Sequence, residues 1–409
     1  MTAGGPAAEV DGTAPAAPPA SASAVDPSPV VRLARAALPI VALLVFIGGT
    51  AAIAWAARDT LGYDFQAYVH AANRLLAGQP LYDPAVDVAG GFAIFLYPPP
   101  FAVLMIPFTW LPAGIGATVW TVVLAGSFAL GCALLPVRPS VRWTVLLLAG
   151  VCWPYLYSVK LGQVGPLLFL AFAAGWRWRD RPGPLGVAMA FGTIVKVQPA
   201  LLFGWAVVTR RYRAAVIGIV VLAVAAVATT IVTGAGTWAD YVAILGRVSA
   251  PVTTPHNFTL GALLYGAGVE LGVATLVQWL GVVVTILVVL YAWWRADAVT
   301  SYVTTVVGSQ LVSPLLWEHY AMLLLIPVAL LLERGHWWAI ALPLLPWLGP
   351  ATYPPIMFIG LIAPILTAER RPRATAPTAQ APAGPGPTPG IPATPGMPAT
   401  PGAPATRPG

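Results

Sequence analysis

Asp64 opens the stretch Asp64-Phe-Gln-Ala-Tyr68-Val-His70-Ala-Ala-Asn73-Arg74-Leu-Leu-Ala-Gly78, where polar and apolar residues alternate at helical spacing. As a first-turn residue its carboxylate suits the positive end of a helix, and as one of few charges outside the cytoplasmic clusters it belongs to a polar working site. The chain has two lysines, Lys160 in Val159-Lys160-Leu-Gly-Gln163 and Lys196 in Lys196-Val-Gln-Pro199. An ammonium beside apolar helices is costly unless it meets an anion, so both are candidates for holding a phosphate. Lys160 has the alternative of snorkelling to an interface. Ser313-Pro314-Leu-Leu-Trp317-Glu318-His319-Tyr320 sets a carboxylate and a histidine between aromatic rings, a combination that suits a sugar or a phosphate. His70 and His256 lack such company, and His336 reads as structural. Cys132 and Cys152 fall in apolar segments with no zinc spacing, so neither a disulfide nor a metal is expected. No Walker loop, dinucleotide fingerprint or His-Glu metal motif occurs, and no cofactor is expected.

The elements that must position these residues are apolar. Of 409 residues, 58% are hydrophobic and only 9% charged, against about 25% charged in soluble domains. Lipid is the solvent that accommodates such a surface. The net charge of +7 does not point to nucleic acid, because the basic residues sit in short clusters between apolar spans. The first span is Leu38 to Ala57, read as an uncleaved helix. Further spans fall near 114–136, 143–159, 163–176, 184–195, 199–208, 214–233, 271–293, 300–316, 320–332, 337–349 and 354–367, about twelve in all. With both termini in the cytoplasm, 16 of the 21 basic residues face inward, and Arg58, Arg74, Lys160, Lys196 and Arg247 face outward.

That parity makes residues 98–111, which begin with three prolines, a re-entrant or juxtamembrane helix on the outer side. The first outer loop is then long, and it carries Asp59, Asp64, Asp83 and Asp87 with an amphipathic interfacial helix from Asp64. The short segments 184–195 and 199–208 meet at Lys196-Val-Gln-Pro199, a break whose free backbone groups must line protein or a wet cavity. A second outer loop, about Gly234 to Glu270, contains Asn257 and is placed to cover a cavity. Residues 1–34 read as a disordered cytoplasmic tail and 35–370 as the membrane domain. Residues 371–409 read as a second disordered cytoplasmic tail, with 11 prolines in 374–409.

Five features occur in order: Asp64 ahead of Ala-Gly78-Gln-Pro-Leu-Tyr82, Tyr97-Pro-Pro, Gly162-Gln163-Val, Lys196-Val-Gln-Pro199, and Ser313-Pro-Leu-Leu-Trp317-Glu-His319. In these the chain resembles the polyprenol-phosphate-mannose-dependent glycosyltransferases of family 87, of the GT-C superfamily, over roughly residues 35–370. The resemblance implies an all-α polytopic GT-C fold, with its active site on the outer face of the cytoplasmic membrane. It implies an inverting α-mannosyltransferase that uses a polyprenyl-phosphate-mannose donor and a cell-envelope glycolipid or lipoglycan acceptor. Asp64 stands where the family's general base does. Lys196 and His319 would lie near the leaving phosphate, with Gln163 and Asn257 in the cavity wall. Glu318, Lys160, Trp317 and Tyr97 complete the expected substrate-binding set. Two departures bear on sugar and linkage: Tyr320 follows His319 where the family often has a second histidine, and Gly165 replaces an asparagine. Arabinofuranosyl transfer from a decaprenyl phosphate is the alternative within the class. A lipid-linked-sugar flippase would also use many helices and a broken pair, although no internal repeat is present. A non-catalytic assembly scaffold is the third class.

Overall fold

Long runs of Ala, Val, Leu and Ile satisfy their own backbone only as helices when lipid surrounds them. The computed structural model, which describes residues 1, 29–82, 94–248, 251–254 and 256–368, is helical throughout, with no strand among the described residues. The helices are α1 (Pro29–Ala56), α2 (Tyr63–Leu76), α3 (Pro99–Leu104), α4 (Ala113–Leu134), α5 (Pro139–Val151) and α6 (Trp153–Leu161). They continue with α7 (Gly165–Arg177), α8 (Pro182–Val195), α9 (Leu201–Val208), α10 (Tyr212–Thr233), α11 (Gly236–Val248) and α12 (Leu260–Gly266). The last are α13 (Leu271–Arg295), α14 (Ala298–Leu311), α15 (Leu325–Glu333), α16 (Ala341–Leu344) and α17 (Tyr353–Leu366). Asp83, Asp87 and most of both tails lie outside the described residues, but α1 begins at Pro29, ahead of the expected boundary at 35.

Among the described residues four helices are long and apolar enough to cross a membrane: Ala36–Ala56 within α1, α4, α10 and α13. A fifth span is available if α5 and α6, bent by 62° at Cys152, count together. The sequence pattern suggests about twelve spans. Several of those segments form shorter pieces, because prolines and 3-10 turns interrupt them. Residues 320–332 divide into a 3-10 turn, Glu318–Leu324, and α15. Residues 337–349 divide into α16 and two flanking 3-10 turns, with Pro343 and Pro346 inside the stretch. Residues 98–111 form α3 and a 3-10 turn, Ile106–Trp110, each with a proline at its first or second position.

Two sets of loops separate. In one, Arg138 pairs with Glu333 at 3.2 Å, Arg334 with Asp297 at 3.7 Å and Arg211 with Asp180 at 2.9 Å. All these residues lie in the connections assigned to the cytoplasm. The other set, the α2–α3, α6–α7, α8–α9 and α14–α15 connections, meets with α2 around one cavity. Between them runs α14, whose residues Thr300 to Gln310 are all buried. Its polar side chains are used internally: Trp205 Nε1 donates to Ser301 Oγ at 3.0 Å, and Trp293 Nε1 to Thr305 Oγ1 at 2.7 Å.

The first loop is docked by glycines. α6 ends with the N–H of Gln163 on Ser158 O (2.9 Å) and that of Gly162 on Val159 O (3.0 Å), a closure that needs a left-handed residue. Gly162 supplies it at φ +71°. Gly62, also left-handed at φ +79°, donates its N–H to Lys160 O at 2.9 Å. A Cβ on Gly162 would stand 2.9 Å from Phe65 Cβ and 3.1 Å from Gly62 Cα. Gly162→Ala is therefore expected to lower stability by roughly 1–3 kcal/mol. The check is the thermal midpoint in detergent, with Gly183→Ala, whose added Cβ meets nothing within 4 Å, remaining at the wild-type value.

Candidate active site

Asp64 is the second residue of α2, whose N-cap is Gly62; no side chain caps the helix. Its carboxylate does not fold back on the backbone. It accepts a short hydrogen bond from Gln163 Nε2. Gln163 is placed by the closure of α6, one residue beyond the glycine that α2 leans on. The other end of its amide is held too, since Tyr97 OH donates to Gln163 Oε1 at 2.9 Å and Tyr68 OH lies 2.9 Å from Tyr97 OH. Tyr97 is itself fixed by Tyr82, whose hydroxyl donates to the Tyr97 carbonyl at 2.5 Å. Burial pushes the Asp64 carboxyl up to about 6, against the opposing pull of the Gln163 hydrogen bond and the Lys196 charge.

Lys196 extends from the end of α8 in a β conformation, φ −158° and ψ 143°, before Pro199 lets the chain turn into α9. Its ammonium donates a short hydrogen bond to Tyr320 OH. It lies 4.0 Å from the Tyr320 ring centroid, 5.6 Å from that of Tyr97 and 5.7 Å from that of Trp317. Three rings hold the cation by their faces without neutralising it. Among the described residues no carboxylate comes within ion-pair distance of Lys196.

Asp64, Gln163, Tyr97, Lys196 and Trp317 line a single cavity of about 460 Å³. Tyr68, Gln198, Ser313 and Tyr320 add polar groups, and Ile94, Leu96, Val197, Leu201 and Leu245 make much of the remaining wall apolar. The chamber thus has a polar end with a base and a cation, and an apolar side suited to a chain of carbons. Among the described residues no three His, Cys, Asp or Glu side chains come together as metal ligands would.

Four expected site residues stand elsewhere. His319 is buried at 3% exposure, with neither ring nitrogen hydrogen-bonded, and does not line the cavity. The reason is periodicity. Residues 318–324 form a 3-10 turn, in which positions i and i+3 share a face. Trp317 and Tyr320 therefore front the cavity together, their centroids 5.9 Å apart, while His319 turns away. Glu318 accepts from Trp153 Nε1 at 3.2 Å and ties this turn to α6. Asn257 clamps the loop that carries the wall, its Oδ1 accepting from Leu316 N at 2.9 Å and its Nδ2 donating to Pro314 O at 3.3 Å. Lys160 contributes its carbonyl to Gly62, and its ammonium rests 5.7 Å from the Tyr157 ring centroid. A Cβ on Gly165 would come 2.8 Å from Met322 Cε, so methionine fills the space beside this position. Tyr320 is the functional candidate that reasoning from the sequence passed over. The i, i+3 pairing of Trp317 and Tyr320 is the signal that identifies it.

Against known proteins, the sequence model of Glycosyltransferase family 87 matches residues 95–316. That stretch includes Tyr97, Gln163 and Lys196 but neither Asp64 nor Trp317. A polyprenol-phosphate-mannose-dependent alpha-(1-2)-phosphatidylinositol pentamannoside mannosyltransferase of Mycobacterium tuberculosis is 26% identical over 370 residues, 81% of this chain and 83% of that protein. Its namesake from Mycolicibacterium smegmatis is 26% identical over 386 residues, 86% and 89% of the two chains. A polyprenol-phosphate-mannose-dependent alpha-(1-2)-phosphatidylinositol mannoside mannosyltransferase of Mycobacterium tuberculosis is 27% identical over 250 residues, 54% and 58%. No solved structure matches.

Proposed function

Because this chain belongs to glycosyltransferase family 87, we propose that it transfers mannose from polyprenyl-phosphate-mannose to a phosphatidylinositol-based glycolipid or lipoglycan, inverting the anomeric carbon. The observation that carries this reading is the cavity: a half-buried carboxylate and an ammonium without a carboxylate partner face one chamber whose remaining wall is largely apolar. The donor fits that division, with its phosphate at Lys196 and its prenyl chain along the apolar side. The names of the mycobacterial relatives give the same donor and a phosphatidylinositol mannoside acceptor.

With one oxygen of Asp64 held by Gln163, the carboxylate takes the proton of an acceptor hydroxyl. The hydroxyl oxygen bonds to the anomeric carbon from the face opposite the phosphate. The bond from that carbon to the phosphate oxygen breaks, and its electron pair leaves with the polyprenyl phosphate. Lys196 and Tyr320 meet the charge that develops there. The Tyr320 oxygen accepts from Lys196 and has the Gln198 and Ser313 side chains beside it; with the donor bound, its proton can turn to the phosphate. Two fixed donors at a developing anion are the arrangement that lowers such a barrier. A pKa near 6 suits Asp64 to this work, being basic enough to accept a proton yet mostly ionised at neutral pH. The reaction calls on no cofactor, since the lipid-linked sugar is itself the activated substrate. We take the fold to be of GT-C type with the cavity on the outer face and both termini in the cytoplasm. The segregation of the arginine-carboxylate loops from the cavity loops supports that orientation.

Detergent-purified protein is expected to move mannose from synthetic polyprenyl-phosphate-mannose to a mannoside glycolipid. Transfer from a decaprenyl-phosphate-arabinofuranose donor alone would reject the sugar. Movement of labelled donor across liposomes without any glycosyl product would reject the enzyme.

The single-turnover rate is expected to fall about tenfold per pH unit below about 6, as Asp64 takes up a proton. Gln163 holds that carboxyl down, so Gln163→Leu should shift the acid limb of the rate profile to higher pH. Tyr320→Phe keeps the ring beside Lys196 and removes the donor. It should lower the rate roughly 10²–10³-fold, leaving the thermal midpoint unchanged.

A further inference from the structure

Asp64 looks into only one of the two concavities that α2 separates. At 100° per residue, Asp64, Ala67 and Tyr68 face the cavity already described, while Gln66, Val69, His70 and Asn73 face the opposite side. There they wall a groove of about 840 Å³ between the end of α1, the Ile106–Trp110 turn and the start of α4. Its floor is apolar, formed by Phe65, Phe108, Leu111 and Ala117, and it continues onto Val122 on the exposed surface of α4. Both α1 and α4 are membrane-capable helices, so the floor runs from the lipid toward the head of the groove. The head is polar. Arg58 lies 5.3 Å from the Trp55 ring centroid, and among the described residues it has no carboxylate within ion-pair distance. Asp59, Gln66, His70 and Asn73 complete that rim.

The geometry points to this groove as the seat of the acceptor lipid, an amphiphile with acyl chains, a phosphodiester and several linked sugars. This rests on the glycosyl-transfer reading above. The chemistry of the rim selects the occupant. A guanidinium without a carboxylate partner suits a phosphodiester. A carboxylate and two amides beside it suit sugar hydroxyls, which both donate and accept. A prenyl phosphate without further sugars would use the arginine and leave the carboxylate and amides idle. The position suits transfer as well. Arg58 and Asp59 lead directly into Gly62 and the first turn that carries Asp64. The sugars must cross only the end of one helix, about 10 Å wide, to present a hydroxyl to Asp64 and the donor.

The test uses the full-length protein in detergent and two variants, Thr118→Trp and Arg58→Gln. Thr118 lines the groove and is exposed on α4, so the tryptophan fills the groove without entering the core. Three substrates are compared: a diacyl phosphatidylinositol dimannoside, the soluble methyl mannobioside, and the polyprenyl-phosphate-mannose donor. Both variants should raise KM for the diacyl acceptor about tenfold, the effect of one lost contact of roughly 1.4 kcal/mol. KM for the donor should not change in either variant, nor KM for methyl mannobioside in Thr118→Trp. An unchanged KM for the diacyl acceptor, or a rise in the donor's, overturns the proposal. Occupancy is read separately with the diacyl acceptor carrying a diazirine in one acyl chain, photolysed with the Asp64→Asn protein. Label within residues 51–58 or 113–122 supports the groove, and label confined elsewhere overturns it. If the wild type transfers no mannose, the glycosyl-transfer reading fails by itself, and the cross-link still reports on the groove.

Discussion

Gly62 and Gly162 meet backbone to backbone, and the position of Asp64 follows from that contact. α6 closes through a left-handed glycine, which aims Gln163 away from its own helix. The N-terminus of α2 takes its first hydrogen bond from this turn, at Lys160 O, rather than from a capping side chain. With no cap to make, the carboxylate two residues later is available to Gln163. A side chain on Gly162 would push α2 off the turn, and one on Gly62 would strain a left-handed residue and crowd Ala117 of α4, so either would disturb the alignment of base and amide. The aromatic groups behind the amide, Tyr97, Tyr68 and Tyr82, fix its other end through hydroxyls.

The second constraint is electrostatic. Asp64 and Lys196 face one chamber without touching as an ion pair. Lys196 moderates the burial that would otherwise raise Asp64 further. Burial pulls the Lys196 ammonium down to about 7, against the opposing pull of Asp64; aromatic faces and one hydroxyl surround it without neutralising it, so an arriving anion would favour its charged form. An incoming phosphate would satisfy Lys196 and weaken its pull on Asp64. The carboxylate would then become a stronger base when the donor is in place. Binding and proton transfer are coupled in this account through one shared field.

Much of the site was legible because polar residues are scarce in so apolar a chain. Asp64, Lys196 and Trp317 stand out by type and by their place at the ends of apolar runs, Gln163 and Tyr97 through the family resemblance, and the structure brings all five to one cavity. His319 and Tyr320 were misordered because nothing in the composition announces a 3-10 turn over Glu318–Leu324. Asn257 looked like a wall residue but braces the wall from behind, a role visible only once the loops have packed. Helix type followed from the apolar runs, whereas helix length did not. Prolines, 3-10 turns and the 62° bend at Cys152 shorten segments that hydropathy alone joins. The groove behind α2 was hidden for a similar reason, since its parts come from three separate stretches of sequence.

If Asp64 removes the acceptor proton, transfer depends on its basicity and not on its size. Asp64→Asn keeps the size of the side chain and discards its basicity. Donor affinity and single-turnover mannose transfer would be measured side by side for this variant and the wild type. The asparagine variant is expected to bind the donor within a few-fold of wild type and to transfer at a rate lower by at least about 10²-fold, the low end of what general-base catalysis contributes. Near-wild-type transfer by the asparagine variant, with the donor bound as tightly, would contradict that role for Asp64.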